Sequence, residues 1–156
     1  MPPATPGRHF GRHARSGVAV LAALVAAGCG TQEPFPLVQV RGTVAYEDGT
    51  VIPAEPLVLT FYPQRPMLDP ETHPRPGMAL ADPATGEIWD VSSHRASDGL
   101  VAGVHRVTLT TLERTPLPGD LLPAEYADPG TTPLEIDTAK LPFRLLVRRP
   151  PGGQRP

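Results

Sequence analysis

The chain has 156 residues, with 14 Lys+Arg against 16 Asp+Glu, one Cys and 22 Pro. That length holds one domain plus a tail, and the near-neutral balance lacks the clustered basic face that nucleic-acid binding needs. A lone Cys excludes an intramolecular disulfide framework and a four-Cys zinc site, and so many prolines resist long helices.

Arg8, Arg12 and Arg15 lie in a stretch without acids, followed by the apolar run GVAVLAALVAAG at 17–28 and then Cys29. A basic start, a short apolar run and small residues at its end predict a secretory signal peptide over 1–28. Twelve residues are too few to cross a bilayer as a helix, which takes about 20. Removing 1–28 deletes three basic residues and no acid, leaving 11 against 16. The mature body is therefore acidic. Residues 29–36, with Pro34 and Pro36, read as a short stiff tether.

From there the chain alternates with period two. Val38, Val40, Val44 and Tyr46 share one face, with Gln39, Arg41 and Thr43 on the other, and Asp48-Gly49 supplies a turn. Leu57, Leu59 and Phe61 repeat the pattern up to Pro63, and 63–77, with five prolines and no period, is expected to be an exposed loop. Trp89 and Val91 are predicted to anchor a short strand after Thr85-Gly86. His105, Val107 and Leu109 share a face, Leu134 and Ile136 another, and Phe143, Leu145 and Val147 a third. Residues 120–127 have room for one helical turn. About seven short strands separated by turns predict an all-β antiparallel sandwich over 37–149, each sheet with one apolar face. Residues 150–156 (PPGGQRP) are expected to be a disordered tail.

Leu24-Val25-Ala26-Ala27-Gly28-Cys29 resembles the lipobox of bacterial lipoproteins, although Ala26 stands where that motif usually has Leu. The resemblance implies cleavage after Gly28, a diacylglycerol thioether on the Cys29 sulfur and acylation of the new amino terminus. Two acyl signals give stable membrane anchoring. The chain is thus expected to be exported and lipid-anchored to a bacterial membrane, on a periplasmic or surface face.

Four further blocks look like the carboxypeptidase regulatory-like, transthyretin-like domain. They are Val40-Arg41-Gly42-Thr43-Val44 leading to Asp48-Gly49; Ala81-Asp82 through Gly86 to Trp89; Asp98-Gly99 with Gly103 and Val107; and Leu122-Pro123-Ala124-Glu125-Tyr126 with Thr131-Thr132-Pro133-Leu134. The resemblance implies a seven-stranded Greek-key β-sandwich of the prealbumin type. Three features depart from it. Glu125 replaces a common Lys, His105 an aromatic, and the Gly86–Trp89 gap is one residue longer than usual.

Candidate chemistry is sparse. His73, His94 and His105 lack the i, i+4 spacing of a helical metal pair, and His105, on an apolar face, reads as a packed histidine with one ring nitrogen bonded. Asp69, Glu71 and His73 alternate inside the proline-rich loop but lack the spaced Asp/Asn-Gly pattern of a calcium loop. Ser92, Ser93 and Ser97 surround His94 without a nucleophile elbow, and no P-loop or G-x-G-x-x-G supports nucleotide binding. The transthyretin-like hydroxyisourate hydrolases carry an early His and a C-terminal Tyr-Arg-Gly-Ser; once 1–28 are removed this chain has no His before His73, and it ends Pro-Gly-Gly-Gln-Arg-Pro.

The sequence therefore leads to a non-enzymatic envelope module, without cofactor or metal, that binds an unidentified envelope protein or polymer. Its contacts are expected at the 63–76 loop, bracketed by Arg65 and Arg75, and at exposed strand edges. The rival is a hydrolase or carbohydrate-active accessory protein. That reading needs His94 or His105 to meet Asp90 or Asp98 in a cleft, or Trp89 and Tyr62 to form an exposed stacking platform.

Overall fold

The computed structural model describes residues 34–152; the segment expected to be a signal peptide, Cys29 and residues 153–156 lie outside them. Nine strands occur among the described residues: β1 (Leu37–Val38), β2 (Gly42–Tyr46), β3 (Val58–Pro63), β4 (Gly77–Leu80), β5 (Glu87–Ile88), β6 (Leu100–Val101), β7 (Val104–Thr110), β8 (Glu135–Asp137) and β9 (Phe143–Val147). One 3-10 turn, Ala124–Ala127, lies between β7 and β8, where the sequence predicts a single turn. The described chain is all-β.

The strands form a four-stranded sheet β4-β3-β7-β8, a three-stranded sheet β5-β2-β9 and a ribbon β1-β6. All ladders are antiparallel except one. β2 runs parallel to β9, in register from Gly42 opposite Phe143 to Tyr46 opposite Val147. A parallel pair needs a long crossover, and here it is the whole body between residues 47 and 142.

Alternation is clean in β2 and β9, where Val44, Tyr46, Phe143, Leu145 and Val147 turn inward and Arg144 and Leu146 outward. In β3 and β7, the central strands of their sheet, both rows are buried. Leu59, Phe61, Val107 and Leu109 enter the core, while Thr60 faces Thr108 and Val58 faces Thr110 on the other side. The inner rows of the two larger sheets meet in one apolar cluster, a sandwich-like arrangement. Phe61 and Phe143 join them edge to face, with centroids 5.8 Å apart, a geometry aromatic rings favour.

Several expectations need correction. The 38–46 run is two strands in different sheets, broken at 39–41, and two strands were not read from the sequence at all: β4 directly after the proline-rich loop, and β6. The body also starts before 37 and runs past 149. Phe35 is buried under the Arg65 guanidinium, Pro36 accepts from the Ala102 N–H at 2.8 Å, and Pro150 is buried.

The strand placed at Trp89 and Val91 is in fact Glu87–Ile88, so Ile88 is buried and Trp89 is not. The preceding turn sets this register. Asp82 accepts from the Ala84 and Thr85 N–H groups, and Gly86, at φ 71°, packs so close to Val44 that an added Cβ would lie 2.2 Å from its carbonyl oxygen. A one-residue offset exchanges inside for outside.

Candidate functional site

The offset at β5 produces the most chemically distinctive surface among the described residues. Thr43 pairs with Glu87 on one side and Arg144 on the other, placing a Glu87–Thr43–Arg144 row on the outer face of the three-stranded sheet. Together with Arg41, Trp89 and Pro142 these residues line a groove of about 730 Å³. Neither Arg41 nor Arg144 has its guanidinium engaged by a hydrogen bond or ion pair among the described residues. Arg149 is different. It stacks 3.8 Å over the Tyr46 ring and reaches Asp48 at 3.4 Å.

On its other side Trp89 borders an aliphatic groove of about 600 Å³ that includes Val58, Met78, Leu80, Pro83 and Leu112. A third concavity continues past Arg41 to Leu141. Trp89 is 66% exposed, Leu112 58% and Leu80 56%. Contiguous exposed apolar area of this kind marks a contact surface, and Trp and Arg are the residues that most often dominate binding energy. The sequence reading had Trp89 as a strand anchor and a conditional platform residue; its one advance signal was the extra residue between Gly86 and Trp89.

The proline-rich loop, the surface expected to carry contacts, is exposed and held at its base by Arg65, which reaches the Ala102 carbonyl. At its tip Leu68 N–H bonds to the Thr72 carbonyl at 2.9 Å, and Asp69 accepts from the N–H groups of Glu71 and Thr72 at 2.8 and 2.7 Å. These donors hold the Asp69 carboxyl below its ordinary pKa. Asp69 is thus committed to its own turn. Glu71, His73 and Arg75 come together with Ser93 and His94 around a smaller pocket of about 230 Å³. No cluster of three His, Cys, Asp or Glu suited to a metal occurs among the described residues.

Asp90, Asp98 and His105 are each hydrogen-bonded within the body. Asp98 accepts from the backbone N–H groups of Ser93, His94 and Arg95 at 2.7–2.9 Å. Burial works to raise its pKa, but these donors prevail and hold it low. Asp90 accepts from the Ser97 hydroxyl, and Ser97 takes a left-handed φ of 57°. His105 is buried with Nε2 2.7 Å from the Val101 carbonyl, and burial lowers its pKa. Tyr126 buries its ring and accepts from the Arg148 N–H at 3.0 Å. Tyr62 is only half-exposed, so Trp89 has no second open ring from that residue. Cys29 and the lipobox lie outside the described residues, and no described helix is long and apolar enough to cross a membrane.

No protein-family model matches the chain, and no curated protein or solved structure matches it.

Proposed function

We propose that this chain is an exported lipoprotein, moored by a lipid on Cys29, whose all-β body is a non-enzymatic binding module of the cell envelope. The observation that carries the binding role is Trp89, exposed between a cationic and an aliphatic groove. Anchoring is supported by the basic-apolar leader ending in the chain's one cysteine. The non-enzymatic reading draws on Asp90, Asp98 and His105, each of which spends hydrogen bonds on local structure. The transthyretin-like reading rests on the four sequence blocks; under it the seven strands of the two larger sheets form the sandwich, and β1-β6 is an added ribbon.

A carbohydrate-binding role would use the same exposed indole. It has one exposed ring rather than a platform of two, because Tyr62 is only half-exposed. Mass spectrometry of the mature amino terminus tests anchoring: an acylated Cys29 is expected, and Cys29→Ala should move the protein from the membrane to the soluble fraction. A Cys29→Ala chain that stays fully membrane-bound would overturn this reading.

A further inference from the structure

The proposal that this body is a binding module leaves its occupant open, and the two grooves beside Trp89 restrict the choice. One groove is mainly apolar, with Asp82, Asp90 and Ser92 on its lining beside Val58, Met78, Leu80, Pro83 and Leu112, and it favours large apolar side chains, while Arg41 and Arg144, against the single Glu87, favour carboxylates. Both surfaces are concave, which suits a projecting tip better than a flat bilayer.

A segment of that description stands on the chain's own surface. Met67 and Leu68 are 62% and 61% exposed, side by side, and are followed by Asp69 and Glu71. Pro66 and Pro70 restrict the backbone, and the Leu68–Thr72 and Asp69 hydrogen bonds close the tip into a turn. Such a tip loses little conformational entropy on docking. Its residues line neither groove beside Trp89 in the same chain.

We infer that the Met67–Glu71 tip of one copy docks into the Trp89 grooves of a second copy, Met67 and Leu68 entering the apolar side and the Glu71 carboxylate facing Arg41 and Arg144. Tip and groove are different surfaces, so copies pair by exchanging tips reciprocally or join head to tail into a ring or an open chain. A five-residue tip buries less than a stable interface does, so the association is weak in solution. Confinement of copies to one membrane raises their effective concentration.

Trp89 is the chain's one tryptophan, so its emission reads this surface directly. Sedimentation equilibrium and Trp89 fluorescence on the full-length Cys29→Ala chain separate docking from anchoring. The expected result is concentration-dependent association with a blue-shifted emission. Association should weaken at least tenfold in Leu68→Ser and in Arg41→Glu/Arg144→Glu. Mixing Glu71→Arg chains with Arg144→Glu chains should restore it, which misfolding of either variant could not do. Three results would overturn the inference: a chain that stays monomeric at millimolar concentration, association untouched by Leu68→Ser, or association with no change in Trp89 emission. A monomeric chain whose Trp89 responds to polygalacturonate would overturn it in favour of an acidic glycan, and a response to anionic vesicles in favour of a lipid surface. None of these outcomes bears on whether Cys29 is acylated.

Discussion

The Phe143 ring lies across Gly42, its partner on the neighbouring parallel strand: a Cβ on Gly42 would sit 2.3 Å from Phe143 Cδ2. The ring is also packed against Phe61 from the opposite sheet, which restricts its room to move. Gly42→Ala should therefore destabilise the body by about 1–3 kcal/mol through overpacking. Gly42→Ala combined with Phe143→Leu should cost less than the two single changes added together. Urea unfolding of the four variants checks this, and strict additivity would sink it.

His105 makes the fold acid-sensitive in a predictable direction. Nε2 bonds to the Val101 carbonyl, while buried Nδ1 has no hydrogen-bond partner. The folded pKa is depressed, so the unfolded chain takes up the proton first. Stability is then complete above about pH 6.5 and declines as pH falls below it, by at most about 1.4 kcal/mol per unit. Urea midpoints measured between pH 7.5 and 5 should show this slope, and His105→Gln should flatten it even if its overall stability is lower.

Asp98 is the staple of the 92–98 segment. Replacing it with Ala leaves the N–H groups of Ser93, His94 and Arg95 without their acceptor. Limited proteolysis is expected to cut this segment at least several-fold faster in Asp98→Ala, while the urea midpoint falls modestly. Because the Asp98 pKa is lowered, its contribution is present above about pH 4 and is lost as pH drops towards the folded value. Unchanged proteolysis would show that the segment is held by other bonds.

Two tyrosine hydroxyls tie the segment after β7 to the three-stranded sheet. Tyr46 donates to the Leu121 carbonyl at 2.9 Å, and Tyr126 accepts from the Arg148 N–H at 3.0 Å. Tyr46→Phe and Tyr126→Phe should each cost about 0.5–1.5 kcal/mol in denaturant unfolding, with the fold retained in circular dichroism. A neutral result at both positions would mean that solvent replaces these bonds.

Much of the fold was legible because burial on one face forces period-two alternation. Val44 with Tyr46, Leu59 with Phe61, Val107 with Leu109, and Phe143 with Leu145 and Val147 all lie inside as their spacing requires. His105 was readable for the same reason. The two-residue strands were not, since β5 and β6 are too short to show a period and are defined by their partners. The parallel pairing of β2 with β9 was equally invisible, because alternation says which face a residue takes and nothing about which strand lies beside it. At the candidate site, the exposure of Trp89 depends on a turn whose geometry comes from the Gly86–Val44 approach, a tertiary contact. The grooves exist because strands distant in sequence are neighbours in the sheet.

That parallel pairing has a consequence for biogenesis. β2 emerges early from the ribosome, but its parallel partner is the last strand of the body, so the three-stranded sheet is incomplete until residue 147 has been synthesised. Nascent chains ending before β9 lack Phe143, Leu145 and Val147 from the core, and completion of the fold is deferred to the close of translation.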